Sequence, residues 1–361
     1  MNQEIYINGK TFTIDQIVRR KIAEIAPDSF GAAICEFIRE WLGGTEKFLL
    51  ATSGSTGAPT IVEVGRNQMT AGARNTISYF GLQPGDRALL CLNPAYIAGK
   101  MMIVRALVGE LELHAFTPSS NPLEKLDERA QFEFAAFTPH QLYESIVNYP
   151  QKTGILNRMK AIIVGGGPAG PSLLKLLERL SVPVYSSYGM TETVSHVALR
   201  KINGDKQDYY QALGDARFGI DGRGCLTIVG TATNGKMLVT NDLVELISET
   251  RFKWLGRVDN VLNSGGVKIA VEQLEEKIEA AFIEHGIRSR FFIFGMPDPA
   301  LGQKVCLALE GDRLDQIVSD IIKNAVSKYE KPKQIFRTSR FVETPTGKID
   351  RRNTIITFLS A

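Results

Sequence analysis

Apolar positions along the 361-residue chain change their period several times, and the changes divide it into stretches. Over residues 14–43, Ile17, Ile22, Ile25, Phe37 and Leu42 recur at roughly helical spacing, which predicts helix. A short run, Lys47–Ala51, reads as a strand that leads into the turn-rich segment TSGSTGAPT. Downstream, helical stretches (67–80, 100–108, 141–148, 171–180) alternate with apolar strand-like runs (87–92, 112–116, 134–137, 161–164, 182–186). That alternation predicts an α/β fold with a largely parallel sheet. Between 212 and 258 the runs shorten and carry Gly/Asp turns, which predicts a small antiparallel or barrel-like section. Past Asp259, a helix (271–282), two strands (291–294, 304–309) and a helix (314–326) outline a compact α+β piece. A boundary within 256–260 gives a large unit, 1–257, and a small one, 258–361.

Composition adds exclusions. At 44% hydrophobic and 22% charged, the chain is an ordinary globular one and not a disordered tail. Lys+Arg number 42 and Asp+Glu 39, a net charge of +3, so charge gives no reason to expect nucleic acid or a membrane as partner. The longest apolar stretch, CLNPAYIAGKMMIVRALVGEL, is broken by Lys100 and Arg105, and the start, MNQEIYINGKTF, lacks a signal-peptide layout. A cytoplasmic location is expected. Cys35, Cys91, Cys225 and Cys306 are scattered and predicted to be reduced, and neither they nor the four histidines show metal-ligand spacing.

Four segments carry candidate chemistry. Thr52-Ser53-Gly54-Ser55-Thr56-Gly57 offers hydroxyls and free N–H groups on a tightly turning backbone, suited to phosphate oxygens, although a solvated loop has the same composition. Gly165-Gly166-Gly167-Pro168-Ala169-Gly170 follows a strand and precedes a helix, as a dinucleotide fingerprint does, which opens a flavin or NAD oxidoreductase as an alternative. Against it, the strand VPVYSS ends without an acidic residue for a ribose. Gly230-TATN-Gly235-Lys236 approaches a Walker A loop, but Met237 cannot ligate Mg²⁺, so a hairpin turn is expected. Ser187-Tyr188-Gly189-Met190-Thr191-Glu192-Thr193 puts an aromatic, a glycine, hydroxyls and a carboxylate just after a strand, where α/β proteins bind ligands.

Taken in order, TSGSTGAPT (52–60), GGGPAG (165–170), SYGMTET (187–193), LVTNDL (238–243) with LGRVDNVLNSGGVKI (255–269), and PTGKIDRR (345–352) resemble the acyl-adenylate-forming ligase family. That family joins a carboxylate to ATP, releases pyrophosphate, and passes the acyl group of the acyl-AMP to a thiol, usually that of coenzyme A. Within it, GGGPAG, YGMTETVSH and the compact chain look most like the o-succinylbenzoate-activating members of menaquinone synthesis.

The resemblance implies roles. Thr52, Ser53, Gly54, Ser55, Thr56 and Gly57 would grip the β/γ-phosphates of ATP. Gly165, Gly166, Gly167 and Pro168 would wall the adenine, with Tyr188, Gly189 and Met190 beside it and the Tyr188 ring flat on the base. Thr191 would hold the α-phosphate and Glu192 the Mg²⁺. Asp242 would accept the ribose hydroxyls, with Arg257 donating nearby. Lys348 would bridge the reacting carboxylate and the α-phosphate, offsetting the repulsion of two anions. Asp259 would be the hinge on which the C-terminal unit swings between half-reactions, and Gly265 and Gly266 would leave room for the thiol of coenzyme A. For the acyl pocket the local options are Tyr96, Lys100, Arg105, Ser195, His196 and Arg200. A homodimer is the expected assembly, if there is one.

Three departures stand out. Only 51 residues precede the phosphate loop, so an N-terminal subdomain is expected to be reduced or missing. Thr60 stands where a lysine is common, and Tyr96 where a histidine is usual. These keep open a non-catalytic adenylate binder, and the pocket residues keep open another aryl or a fatty acyl substrate.

Overall fold

The computed structural model describes residues 3–26, 28–51, 61–287, 289–311, 316–343 and 349–360. The first strands are β1 (Glu4–Ile7), β2 (Lys10–Thr13), β3 (Lys47–Ala51) and β4 (Ile61–Gly65). Next come β5 (Arg87–Leu90), β6 (Glu112–Ala115), β7 (Phe134–Phe137), β8 (Ala161–Val164), β9 (Val184–Met190) and β10 (Ser195–Lys201). Then follow β11 (Tyr210–Ala212), β12 (Arg217–Ile220), β13 (Cys225–Val229), β14 (Leu238–Ser248) and β15 (Arg251–Arg257). The last are β16 (Val261–Ser264), β17 (Val267–Ala270), β18 (Phe291–Asp298), β19 (Gly302–Glu310) and β20 (Gln334–Thr338).

Thirteen strands form one sheet in the order β12-β13-β14-β15-β11-β10-β9-β8-β7-β5-β6-β1-β2. Its middle, β6 through β9, is parallel, as the alternation predicts. Parallel strands are covered on both faces, and their residues show it: Leu90 packs with one core and Leu89 with the other. The 212–258 section is antiparallel, but it continues the large sheet through β10 and does not close as a separate barrel. Its own core is aromatic, with Tyr210 stacked on Phe252 at 5.4 Å and Phe218 edge-on at 4.9 Å.

The helix expected over 14–43 is three helices, Ile14–Arg19, Ile22–Ile25 and Ser29–Leu42. A side-chain cap starts the third: the Asp28 carboxylate accepts from Gly31 N at 2.7 Å. Helical periodicity persisted across the breaks because all three helices put isoleucines into one core.

β15 ends at Arg257, and after the turn Val258–Asn260 the chain builds a second sheet, β17-β16-β19-β18 with β20 alongside β19. Helices Val271–Glu284 and Gln316–Ala325 close its apolar core. Helix Val271–Glu284 also meets the helix Pro171–Leu177 behind the GGGPAG loop, where the Glu279 carboxylate accepts hydrogen bonds from Ser172. Burial raises the Glu279 pKa above its ordinary 4.5, outweighing the Ser172 hydrogen bonds. A raised native pKa favours the protonated form, so its contribution to stability is full below 4.5 and is lost as the pH rises through the native value. Glu279→Gln should therefore flatten the fall of melting temperature on going from pH 4.5 towards neutrality. Thermal melts across that range check it; an unchanged slope contradicts it.

Candidate active site

The segment SYGMTET is less of a loop than its composition suggests. β9 runs on through Met190, and only Thr191–Thr193 turn, as a single 3₁₀ turn held by Met190 N donating to Thr193 Oγ1 at 2.9 Å. The reason is β10, which returns antiparallel and pairs His196 with Gly189. A Cβ on Gly189 would lie 2.0 Å from the Ser195 carbonyl oxygen, so close strand approach demands glycine here. The turn leaves Glu192 exposed and Thr191 half-buried at the strand end.

Asp242, on β14, is buried, and both its carboxylate oxygens are engaged. Tyr188 Oη donates to Oδ2 at 2.6 Å and Trp254 Nε1 to Oδ1 at 3.2 Å. Burial and then the Asp242 charge push the Tyr188 phenol well above its usual range, so it stays a donor. The Tyr188 ring lies edge-on to Phe252 at 5.0 Å and tilted to Tyr210 at 5.7 Å. Arg257 is the register partner of Asp242 across β14 and β15, yet its guanidinium turns to Asp259. The fork is bidentate, Nε to Oδ1 at 2.8 Å and Nη2 to Oδ2 at 2.6 Å, and it holds Asp259 below the usual carboxylate range. The residue expected at the ribose and the residue expected as hinge thus hold each other.

GGGPAG lies between β8 and helix Pro171–Leu177, the strand–turn–helix setting the sequence predicts. Gly165 sits tight against β9, where a Cβ would come within 2.5 Å of Ser187 Oγ. Gly230–Met237 is the connection of the β13–β14 hairpin, as expected, with Asn234 and Gly235 at positive φ. Gly265 and Gly266 form the two-residue turn of the β16–β17 hairpin at φ +60° and +82°. The turn by itself calls for glycine at both positions, whatever else they line.

The acyl-pocket candidates separate. Arg105, from helix Ile97–Gly109, meets Ser195 and His196 of β10: its Nη2 is 3.4 Å from Ser195 Oγ and 3.5 Å from His196 Nδ1. The residue is 2% exposed, and among the described residues its Nε has no partner and no carboxylate offsets the burial, which lowers its pKa to about 9. Ser195 and His196 line a narrow cleft with Gly72, Asn75, Met101 and Ala232. Lys100 instead lies over the Phe37 ring at 4.8 Å, and Arg200 over Tyr210 at 5.1 Å. Tyr96 precedes helix Ile97–Gly109 and is exposed. One helix cannot aim residues 100 and 105 at the same spot, since five residues turn it by about 140° beyond a full circle.

Thr52, Ser53, Gly54, Ser55, Thr56, Gly57 and Thr60, and likewise Lys348, lie outside the described residues. Among the described residues no three His, Cys, Asp or Glu side chains converge as a metal site. Glu192 alone still suits Mg²⁺, a hard ion that usually keeps several waters and takes one or two carboxylates with substrate phosphates.

Residues 47–221 match the family described as AMP-binding enzyme. A crystal structure of an acyl-CoA synthetase (AMP-forming)/AMP-acid ligase II-like protein from Dyadobacter fermentans is 42% identical, covering 94% of this chain and 97% of that one, with a TM-score of 0.63. The chain belongs to the acyl-adenylate-forming, AMP-binding enzymes. A probable 2-succinylbenzoate–CoA ligase of Mycobacterium tuberculosis is 26% identical over 84% of this chain and 82% of its own length. The o-succinylbenzoate coenzyme A synthetase of Bacillus subtilis, solved with ATP and magnesium, shares the fold at a TM-score of 0.68 and 20% identity, over 85% of this chain and 69% of that one.

Membership in the AMP-binding enzymes gives the glycines of 165–170 a reading other than a dinucleotide fingerprint, and the oxidoreductase alternative has no support. The four cysteines are buried and free, as expected. No helix among the described residues is long and apolar enough to cross a membrane. Sequence reasoning missed Trp254 as the second donor to Asp242 and Thr76 as a partner of His196. Trp254 carried a signal, standing three residues before Arg257 on the same strand, whereas Thr76 carried none.

Proposed function

We propose that this AMP-forming acid–thiol ligase activates 2-succinylbenzoate, through an acyl-adenylate, to its coenzyme A thioester. The observation that carries the substrate is Arg105. A buried cation without an anion is costly, and a substrate with a second carboxylate beside Ser195 and His196 would offset that cost. A monocarboxylate would leave the charge unmatched. The named relatives, 2-succinylbenzoate–CoA ligases, support the same substrate.

In this reading ATP lies along the ends of β8, β9 and β14. The 165–168 loop and Tyr188 flank the adenine, Asp242 accepts the ribose hydroxyls, and Thr191 donates to the α-phosphate. Tyr188 and Trp254 hold the Asp242 carboxylate in place before the nucleotide arrives, which spares an ordering cost on binding. Glu192 would hold Mg²⁺, which supplies charge neutralisation at the phosphates. Residues 258–361 form the mobile unit, turning about Asp259 to bring first Lys348 and then the thiol to the acyl carbon. Arg257 leaves Asp259 for the nucleotide when the site fills.

A panel of carboxylates scored for AMP and pyrophosphate release tests the reading. 2-Succinylbenzoate should lead benzoates and fatty acids, and 4-oxo-4-phenylbutanoate, which lacks only the ring carboxylate, should trail it by about 10²-fold in kcat/KM. That is the size expected for losing one charge-paired contact. Arg105→Gln should erase most of that preference. Equal use of both acids by the wild-type chain would overturn the substrate.

A further inference from the structure

Arg105 does not stand alone in the interior, and the atoms behind it have a fixed hydrogen-bond sense. Thr76, wholly buried on helix Arg66–Phe80, donates its hydroxyl proton to the Gly72 carbonyl at 2.9 Å. A hydroxyl has one proton, so towards His196 Nε2, 3.1 Å away, Thr76 Oγ1 can only accept. His196 must then carry its proton on Nε2. That leaves a lone pair on Nδ1, and Nδ1 is the atom facing Arg105 Nη2 at 3.5 Å. Arg105 has donors only, so the two ends match. The opposite tautomer would set N–H against N–H and leave Nε2 aimed at an oxygen whose proton is committed elsewhere. A charged imidazolium satisfies Thr76 but again sets N–H against N–H at Arg105, and burial followed by the Arg105 charge lowers the His196 pKa well below 6.5.

We propose that Thr76 and His196 are positioning residues of the acyl pocket, a relay that orients the Arg105 guanidinium towards the second carboxylate of the substrate. The relay rests on the pocket reading given above. Neither residue touches the reacting carboxylate: His196 acts by accepting from Arg105, and Thr76 acts by fixing which nitrogen of His196 can accept. Ser195 Oγ, 3.4 Å from both Arg105 Nη2 and His196 Nδ1, completes the ring of contacts. With the guanidinium Nε unpartnered, those contacts and Met102 Sδ at 3.7 Å are its only described side-chain restraints.

The test compares kcat/KM and KM for 2-succinylbenzoate and 4-oxo-4-phenylbutanoate in three variants. Thr76→Val keeps the shape and removes the acceptor, and it should lower the preference for the dicarboxylate about tenfold, chiefly through KM. Thr76→Ser restores an acceptor and should stay within about twofold of the wild-type preference. His196→Phe keeps a ring without a lone pair and should repeat the Thr76→Val loss, which serves where one variant fails to fold. Equal losses on both acids, or an unchanged preference in Thr76→Val and His196→Phe, overturn the relay. Arg105→Gln separates the two readings. If it erases the preference while the other variants leave it intact, the relay fails and the pocket stands; if it leaves the preference intact, the pocket reading fails and the relay with it.

Discussion

Lys348→Ala should lower carboxylate-dependent pyrophosphate release by about 10²–10³-fold, the size of removing one preorganised group that meets developing charge. The same variant should transfer a supplied acyl-adenylate to coenzyme A at close to the wild-type rate. The asymmetry follows from the chemistry. Bringing a carboxylate to the α-phosphate joins two anions, and an ammonium between them offsets the repulsion and then the charge that builds on the oxygens of the pentacoordinate phosphorus. Thioester formation starts from an acyl-adenylate in which that repulsion has already been overcome. The flanks of the position are well fastened, so the substitution should not act through unfolding. Glu343 pairs with Ile349, Arg290 donates to Glu343 at 2.7 Å, and Arg351 donates to Glu275 at 2.9 Å. Single-turnover assays of the two steps, beside a thermal melt, check the prediction. Equal loss of both steps would take the assignment away from Lys348.

The arrangement around Asp242 shows what a sequence carries and what it hides. The alternation of apolar runs made the strands and the parallel middle of the sheet legible, and the local motif made the GGGPAG turn so, because each depends on residues close together in the chain. Asp242 itself stood out for the same reason, within LVTNDL. Its partners did not. Tyr188 is 54 residues away and Trp254 12, brought in by the order of strands and by the irregular β14–β15 register, which no local pattern encodes. The Arg257–Asp259 pair was hidden differently: two residues apart, both singled out, they were given separate tasks because rotamers cannot be read from spacing. Lys100 and Arg105 shared a helix and a charge, so only the packed positions of Phe37 on one side and β10 on the other told them apart. Gly189 and Gly265 show that a glycine singled out for a ligand is also called for by the fold, at a close strand pairing and at a hairpin turn.

Asp259→Pro should separate the half-reactions by about 10²-fold or more. Asp259 lies within the 3₁₀ turn Val258–Asn260 that joins β15 to the second sheet. Proline fixes φ at its own position and drives the residue before it out of the helical region, so Val258 could not keep the conformation this turn requires. A clash of about 3 kcal/mol corresponds to about a hundredfold bias against that arrangement. If the C-terminal unit swings about residue 259, its two orientations call on different backbone angles there, and a bias against one slows only the step that uses it. Loss of the Arg257 ion pair is the confounding effect, and Asp259→Ala isolates it. That pair is about two-fifths exposed on each side, with side-chain exposures of 39% and 41%, so its removal should change both steps alike, by less than about fivefold in either direction. Acyl-adenylate formation and thioester release, measured separately in both variants, decide the matter. Should Asp259→Pro slow the two steps to the same extent, the hinge lies elsewhere; a hundredfold split absent from Asp259→Ala places the pivot in the backbone of this one residue, because no side-chain contact then distinguishes the two substitutions except the ring of proline.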